Sequence, residues 1–208
     1  MTAIVVIAKE PRPGRVKTRL CPPCTPEAAA VIAAAALHDT LAVVNASGCS
    51  ARVLALEGRP GQWVPPAFAV IPQVAGDLGA RLAGAVESVD GPVLLVGMDT
   101  PQLTAGLLDD ACARLHEPGI DAVLGPSLDG GYWGIGFRGR RRGAFAGVPM
   151  STPRTASCQL DRLRALGLSV GTLPRLRDVD TFRDARVVAA TVPASEFARA
   201  VARSEVAG

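Results

Sequence analysis

The sequence predicts an α/β fold, a three-layer α/β/α sandwich built on a mainly parallel mixed sheet. Short apolar runs rich in β-branched residues alternate with helical patterns through most of the 208 residues. The run VLLV at residues 93–96 is apolar at every position, which is typical of a strand covered by helices on both faces. A chain with 49% hydrophobic and 20% charged residues is typical of a globular protein. The length suits a single domain, residues 1–208.

Seven strands are predicted, because seven short apolar runs are bounded by glycine, proline or polar residues. No internal repeat or linker interrupts them. The predicted strands cover residues 3–8, 52–56, 68–71, 93–96, 122–124, 132–137 and 170–173.

Helical patterns occupy the gaps between the strands. The first helix is marked by Thr25, a good N-cap residue, and by Pro26 in the first turn. Its longest fully apolar stretch, residues 28–37, is too short to span a membrane. The apolar face of this segment could pack internally or against a second subunit, so a homodimer stays open. The predicted helices cover residues 25–47, 78–89, 104–116, 154–166 and 195–205.

The charge pattern indicates a small anionic ligand. The net charge is only +3, and the positive excess is local, in the opening loop and in the run Arg138, Arg140, Arg141 and Arg142. Aromatic residues make up 4% of the chain, and no basic stripe interleaved with aromatics is present. Nucleic acid is therefore not an expected partner, and neither is a membrane.

The cysteines predict a reducing compartment. Five are present, an odd set without the regular spacing of a secreted disulfide framework, so we expect a cytoplasmic protein. Cys21 and Cys24 form a C-x-x-C, but a zinc site would need two further ligands, and His38 and His116 lack paired spacing. A redox pair is the alternative to chance placement.

The opening loop, AKEPRPGRVKTRL at residues 8–20, carries five cations directly after the first strand. This arrangement can bind phosphate: a strand is followed by a loop that contains proline and glycine, and then by a helix N-terminus. Backbone N–H groups, the helix dipole and cationic side chains all stabilise a bound negative charge. Five cations suit a triphosphate or a departing pyrophosphate. The segment matches neither the P-loop nor the Rossmann motif. The alternative is a solvated loop.

Two acidic loops also follow predicted strands. Asp99, in GMDTP, is well placed to hold Mg²⁺ or Mn²⁺, which prefer oxygen ligands shared with substrate phosphates. Asp178 and Asp180, in RDVDT, could supply a second carboxylate if their loop folds back beside Asp99. Helix capping or a turn role is the alternative for Asp99, and capping of a helix that begins near Thr181 is the alternative for Asp180.

Two glycine-containing turns complete the candidate site. The segment GPSLDGGYW, residues 125–133, predicts a hairpin turn from which Asp129 could face an acceptor or a metal. The segment QVAGDLGAR, residues 73–81, would suit a nucleoside base or ribose lying against backbone, with helix capping by Asp77 as the alternative. Since ligands of such sheets bind at the carboxyl ends of the strands, we expect these loops to form one site.

Five segments, taken in order, resemble the bacterial GT-A-type nucleotide-diphospho-sugar transferase family, which includes arsenosugar-biosynthesis-type glycosyltransferases. The segments are AKEPRPGRVKTRL, QVAGDLGARL, GMDTPQL, GPSLDGGYWGIGF and STPRT. The resemblance covers about residues 3–185, and DVDT resembles the late motif of small nucleotidyltransferases such as 2-phospholactate guanylyltransferase. It implies a GT-A sandwich that binds a nucleotide with a divalent metal, Asp99 standing at the metal-binding acid. Phe182 and Met150 depart from the pattern.

The residues and the resemblance together predict a transferase. The cationic loop favours nucleotidyl transfer from an NTP to a small phosphate- or phosphonate-bearing acceptor, and the resemblance favours glycosyl transfer from an NDP-sugar. A non-catalytic nucleotide-binding protein is a third hypothesis. The predicted nucleotide- and phosphate-binding residues are Ala8, Lys9, Gly14, Arg15, Lys17, Arg19, Gln73, Gly76, Asp77, Gly79 and Arg81; the catalytic residues are Lys17, Asp99 and Asp129; the Mg²⁺ or Mn²⁺ ligands are Asp99 and Asp180; the acceptor residues are Asp129, Gly130, Gly131, Tyr132, Ser151, Thr152 and Arg154.

Overall fold

One seven-stranded sheet forms the centre of the protein. The computed structural model describes residues 1–139 and 141–206, so Arg140 of the basic run lies outside the described residues. The strands have the order β3-β2-β1-β4-β6-β5-β7, and only β6 runs antiparallel to its neighbours. The predicted mainly parallel mixed sheet is confirmed. The strands are β1 (Ala3–Lys9), β2 (Arg52–Glu57), β3 (Ala69–Pro72), β4 (Val93–Gly97), β5 (Ala122–Pro126), β6 (Tyr132–Phe137) and β7 (Val170–Thr172).

Six α-helices are present in the described residues, together with a 3-10 helix at Thr18–Leu20. The Thr25 hydroxyl accepts a hydrogen bond from the Ala28 backbone N–H, which confirms it as the N-cap of the first helix. The fifth helix begins after Thr181, whose side chain forms a capping box with Asp184. Asp180 is therefore not the cap. The helices are α1 (Pro26–Ala46), α2 (Leu78–Glu87), α3 (Ala105–Leu115), α4 (Thr155–Ala165), α5 (Phe182–Thr191) and α6 (Glu196–Val206).

Alternating strand residues divide the core into layers on the two faces of the sheet. Ile4 of β1 belongs to a cluster that contains Leu37 of α1, whereas Val5 belongs to a second cluster that contains Leu82 of α2. All four of these side chains are buried. Burying a side chain of this size stabilises the fold by about 1.5–3 kcal/mol. The expected three layers follow from this alternation.

The apolar surface of α1 is used within the fold. By length and mean hydropathy, 1.6 in an 18-residue window, α1 could cross a membrane, but half of that window is buried inside the protein. One face packs on the sheet, and Ile32 and Ala36 pack in a third cluster with Val188 of α5 and Phe197 of α6. Internal packing therefore accounts for the alanine-rich segment, as expected for the core helix of a folded domain.

Candidate active site

A cleft of about 520 Å³ lies where the carboxyl ends of the parallel strands meet. Its walls come from the loops after β1, β4 and β7, from the β5–β6 hairpin and from the first turns of α2 and α4. The N-terminus of α1, which the prediction placed at the anion site, does not line it. Four of the five cations of the opening loop line the cleft: Lys9, Arg15, Lys17 and Arg19.

Lys17 joins the cationic loop to the Asp99 loop. Its Nζ lies 2.9 Å from Asp99 Oδ1 and donates to the backbone carbonyl of Val179, and only 10% of its side chain is exposed. Its backbone is left-handed, with φ +49°. In the described part of the chain, Lys17 and Ser151 are the non-glycine residues with positive φ, and both line the cleft. Backbone conformations of this cost concentrate at functional sites.

Most of the other cations already have acidic partners. Glu57, the last residue of β2, lies 3.3 Å from Lys9 Nζ and 2.6 Å from an Arg81 guanidinium nitrogen. Arg12 lies outside the cleft, and its Nε is 2.9 Å from Glu10 Oε1. Arg15 is exposed, and among residues 1–139 and 141–204 no carboxylate lies within ion-pair distance of it. The five predicted cations therefore do not form one uncompensated positive patch.

Three carboxylates form a cluster in the cleft, and one of them, Asp180, lies 2.9 Å from an Arg19 guanidinium nitrogen. Asp129, Asp178 and Asp180 each bring one oxygen within 4.8 Å of the others. Burial raises the pKa of the Asp178 carboxyl to about 6, and the nearby charges of Asp129 and Asp180 contribute to that rise. Asp99 is not a member of the cluster, since its carboxylate faces Lys17. The predicted metal ligands were Asp99 and Asp180. The observed cluster contains Asp180, but its other two members are Asp129 and Asp178.

The chain after β7 brings the two late aspartates to the cleft. The Leu128 backbone N–H donates to the Leu176 carbonyl, and the Val179 N–H donates to the Asp99 carbonyl, both at 2.9 Å. These bonds tie the segment to the β5–β6 hairpin on one side and to the Asp99 loop on the other. Val179 is buried, with 1% of its surface exposed. Its two neighbours in the chain, Asp178 and Asp180, both line the cleft.

The β5–β6 hairpin presents Asp129 at its tip. The Asp129 carboxylate accepts a 2.8 Å hydrogen bond from the Gly131 N–H, so the aspartate also stabilises the turn. Gly130 has φ +93°, and a Cβ there would lie 2.0 Å from the Pro153 carbonyl oxygen. Only glycine fits this approach. The hairpin explanation for the two glycines is correct, and it holds Asp129 in the acidic cluster as well.

Residues 73–81 have two roles: some of them line the cleft, and Asp77 caps a helix. Gln73 Nε2 donates to the carbonyl oxygens of Ala8, at 2.8 Å, and of Ala55, at 3.0 Å, while its buried Oε1 has no hydrogen-bond partner. Asp77 caps α2 by accepting from the Ala80 N–H at 2.8 Å. Gln73, Ala8 and Arg81 line the cleft, whereas four predicted nucleotide residues do not: Gly14, Gly76, Asp77 and Gly79.

The predicted acceptor residues also separate into two groups. Gly131, Tyr132 and Ser151 line the cleft, whereas Gly130, Thr152 and Arg154 do not. The Tyr132 hydroxyl donates to Gln159 Oε1 at 3.3 Å, and burial raises the pKa of this phenol. Sequence reasoning missed several lining residues, among them Met98, Trp133 and Thr155. It also missed Glu57. The position of this acid at the carboxyl end of a predicted strand is a signal that could have identified it as a site residue.

Two further predicted features lie away from the cleft. Arg141 donates to the Gly91 carbonyl, before β4, and Arg138 lies 3.5 Å from Asp121, before β5. These two arginines of the basic run therefore lie at the opposite edge of the sheet. Cys21 and Cys24 are free thiols that pack in the third hydrophobic cluster, and burial raises the pKa of Cys24. No metal-binding group in the described residues includes either cysteine.

Comparison with known proteins gives a family. Residues 30–152, more than half of the chain, match the family described as "Uncharacterized protein conserved in bacteria (DUF2064)". The chain belongs to the DUF2064 family. No curated protein matches it.

Solved structures resemble this DUF2064 protein over nearly its whole length. A provisionally assigned nucleotide-diphospho-sugar transferase from Desulfovibrio desulfuricans G20 is 26% identical, with a TM-score of 0.88 over 99% of this chain and 96% of that one. The 2-C-methyl-D-erythritol 4-phosphate cytidylyltransferase of Thermus thermophilus is 18% identical, with a TM-score of 0.59 over 93% and 100%. Rv0371c of Mycobacterium tuberculosis H37Rv, in complex with manganese, is 21% identical, with a TM-score of 0.53 over 90% and 96%.

These similarities establish the fold of the DUF2064 protein. The predicted resemblance to nucleotide-diphospho-sugar transferases is confirmed by the first of them, and the α/β sandwich by all three. The cleft at the carboxyl edge of the sheet is the place where open α/β sheets bind their ligands.

Proposed function

We propose that this protein is a metal-dependent nucleotidyltransferase, acting as one domain, that joins an NMP from an NTP to a small phosphate- or phosphonate-bearing acceptor. The observation that carries the proposal is the meeting, in one cleft, of Lys17 and Arg15 with the carboxylates of Asp129, Asp178 and Asp180. A polyphosphate bound through a divalent cation needs both groups, cations for its oxygens and acids for the metal. The cytidylyltransferase among the similar structures supports nucleotidyl transfer.

The reaction proposed is a direct displacement. An oxygen of the acceptor attacks the α-phosphorus, the bond from that phosphorus to the bridging oxygen breaks, and pyrophosphate leaves with the electron pair. Lys17 and Arg15 would neutralise the leaving pyrophosphate, and the protein's main task is to position the reactants and stabilise charge. Asp99 would hold the Lys17 ammonium in place at 2.9 Å.

The acidic cluster fits a hard divalent cation. It offers three carboxylates with oxygens close enough to share one ion, and burial together with the charges of Asp129 and Asp180 raises the pKa of Asp178. Asp129, Asp178 and Asp180 are the residues that would hold Mg²⁺ or Mn²⁺. The ion would neutralise phosphate charge there. The manganese complex of a structural relative supports this part of the proposal.

The opposite side of the cleft suits the nucleoside. Gln73 has an unpartnered buried amide oxygen and lies beside the end of β1, where a base N–H group could complete its hydrogen bonding. The acceptor would approach from the Gly131, Tyr132 and Ser151 side. We expect the enzyme to work in the cytoplasm, because its five cysteines are free thiols.

Glycosyl transfer from an NDP-sugar is the second candidate. The structural relative from Desulfovibrio desulfuricans G20 is described as a nucleotide-diphospho-sugar transferase, and such a donor leaves as a nucleoside diphosphate. Because Glu57, Asp99 and Asp180 already pair with cations of the cleft, the charge available for a leaving group is smaller than the count of cations indicates. That observation favours the leaving group with the smaller negative charge, which is the nucleoside diphosphate.

A thermal-shift panel of NTPs against NDP-sugars, each with Mg²⁺, separates the two reactions, because a ligand raises the melting temperature in proportion to the logarithm of its concentration over Kd. We expect an NTP to give the largest shift, and pyrophosphate release when a phosphonate or phosphate acceptor is added. A larger shift with an NDP-sugar would favour glycosyl transfer. Tight NTP binding without product for any acceptor would favour a non-catalytic nucleotide-binding protein.

A further inference from the structure

A second cavity lies beside the candidate active site. It is an open groove of about 740 Å³ between the chain that follows the 3-10 helix and the exposed face of α5. Pro22 and Pro23 form one wall, and Phe182, Val187 and Ala190 form the apolar part of the other. Val187 is 45% exposed, so this part of α5 is accessible. We call it the arginine groove, after Arg19, Arg183 and Arg186 in its lining.

The arginine groove has one sign of charge. Three of its nine lining residues are arginines, and none is an aspartate or glutamate. Arg183 is exposed, and among residues 1–139 and 141–204 no carboxylate lies within ion-pair distance of it. Asp184, its neighbour in the chain, is engaged by the Thr181 cap and by Arg177 at 2.8 Å. A groove lined in this way is complementary to an anion.

The groove continues from the acidic cluster. Arg19 lines both cavities, and its guanidinium lies 2.9 Å from Asp180 Oδ2. Thr181, the next residue, lines the groove. A molecule with one end in the groove can therefore have its other end beside Asp180, on the side of the cleft away from Gln73. The nucleoside and the occupant of the groove would lie at opposite ends.

We infer that the arginine groove binds a second phosphate of the acceptor, remote from the reacting group. This inference rests on the proposed function, since it gives the substrate class of the same site. Guanidinium groups recognise phosphate through paired N–H donors, and the prolines with Val187 suit the carbon skeleton between the two charged ends. The acceptor is then a soluble small molecule with an anionic group at each end.

The test measures inorganic phosphate binding by titration calorimetry, with and without Mg²⁺ and a saturating α,β-methylene NTP. The nucleotide occupies the NTP-binding part of the cleft, and the dependence of the remaining phosphate binding on Arg183 reports the groove. We expect wild type to bind phosphate in both conditions, and Arg183→Glu to weaken it at least tenfold. A glutamate is tolerated in the first turn of a helix. Arg175→Glu, an exposed loop variant outside both cavities, controls for net charge and should stay within twofold.

Two results would overturn the inference: phosphate binding by Arg183→Glu equal to wild type, or binding of phosphatidylglycerol vesicles that needs Arg183 while free phosphate does not bind. The nucleotide titration in the same samples separates the two proposals. If the NTP does not bind but phosphate binding still depends on Arg183, nucleotidyl transfer is wrong and the anion site remains. If the NTP binds and Arg183 has no effect, the groove assignment alone is wrong.

Discussion

The two halves of the cleft differ in how their charges are balanced. In the half formed by β1, β2 and α2, Glu57 shares its carboxylate between Lys9 and Arg81, so cations outnumber acids. In the half formed by the β5–β6 hairpin and the chain after β7, three carboxylates lie together and the pKa of Asp178 is raised to about 6. The half formed by β1, β2 and α2 can bind an anion, and the half formed by the β5–β6 hairpin and the chain after β7 can bind a cation. Lys17 stands at the boundary, paired with Asp99.

This difference in charge predicts the orientation of a bound nucleotide in the cleft. A base placed against Gln73 leaves the phosphates to extend over Lys17 toward the three carboxylates, where a divalent cation would join the two halves. Ion pairing alone does not explain this arrangement, because surface ion pairs contribute about 1 kcal/mol or less. Arg19 pairs with Asp180, but one arginine does not balance three carboxylates. Changes that remove one half while leaving the other intact can therefore test the arrangement.

The largest effect is expected at the boundary, from Lys17→Ala. Loss of a charge-assisted contact to phosphate should weaken Mg²⁺–NTP binding about 10- to 100-fold, equivalent to about 1.5–3 kcal/mol. Titration calorimetry measures it. Arg12→Ala, in the same loop but outside the cleft, is the matched control and should leave the affinity unchanged. Equal losses in the two variants would mean that the loop acts only through its overall charge.

Removal of one acid should affect the metal more than the nucleotide. We expect Asp178→Asn to weaken Mn²⁺ binding about tenfold, measured by electron paramagnetic resonance of the free ion, because three carboxylates then become two. Asp161→Asn, on the exposed surface of α4, is the control. If Asp99→Asn weakens Mn²⁺ binding and Asp178→Asn does not, the ligand set is the one that the family resemblance implies.

The acidic half should also make the metal-free protein sensitive to pH. Because the folded-state pKa of Asp178 is raised to about 6 from its ordinary 3.8, the folded protein binds this proton more readily than the unfolded chain. Stability is therefore lost as pH rises through about 6 and regained on acidification. Allowing for solvent screening, about 1 kcal/mol is expected, or about 2–4 °C in Tm.

This contribution is measured as the difference between wild type and Asp178→Asn, in EDTA, between pH 7.5 and 5. The wild-type melting temperature should rise relative to the variant as the pH falls. A constant difference across that range would show that the pKa of Asp178 is not raised in the folded protein.

The smallest effect is expected in the cationic half, from Glu57→Gln. The amide no longer neutralises Lys9 and Arg81, so both cations become available to phosphate, and NTP affinity should increase about two- to threefold. Competition calorimetry can resolve a change of this size. An affinity that falls instead would indicate that Glu57 holds Arg81 in its binding position, and that orientation matters more than charge.

The fold was largely predictable because the central strands are buried on both faces, and such strands are marked by uninterrupted apolar runs. The predicted and observed bounds of β6 are identical, at residues 132–137, and those of α1 differ by one residue at each end. The helix α5 was expected only as a helix that begins near Thr181. It packs on α1 and α6, not on the sheet, so its short apolar pattern gives a weaker signal.

The site was predictable in part, because strand ends that share one edge bring their loops together. This rule predicts the meeting of the cationic loop with Asp99, which is observed as the Lys17 contact. The pairing of Lys9 with Glu57 depends on the parallel register in which these two residues are opposite each other. The contact of Asp178 with Asp129 depends on long-range hydrogen bonds from the chain after β7. Local sequence patterns contain no information on the strand register or on these long-range hydrogen bonds.

The most direct test of the central claim, that one polyphosphate joins the cationic and acidic halves, is the affinity of the preferred NTP in Mg²⁺ compared with EDTA. In wild type we predict at least tenfold tighter binding with Mg²⁺, and in Asp178→Asn most of that gain should be absent. NTP affinity that is the same in Mg²⁺ and EDTA, or a Mg²⁺ gain that survives in Asp178→Asn, would contradict the account.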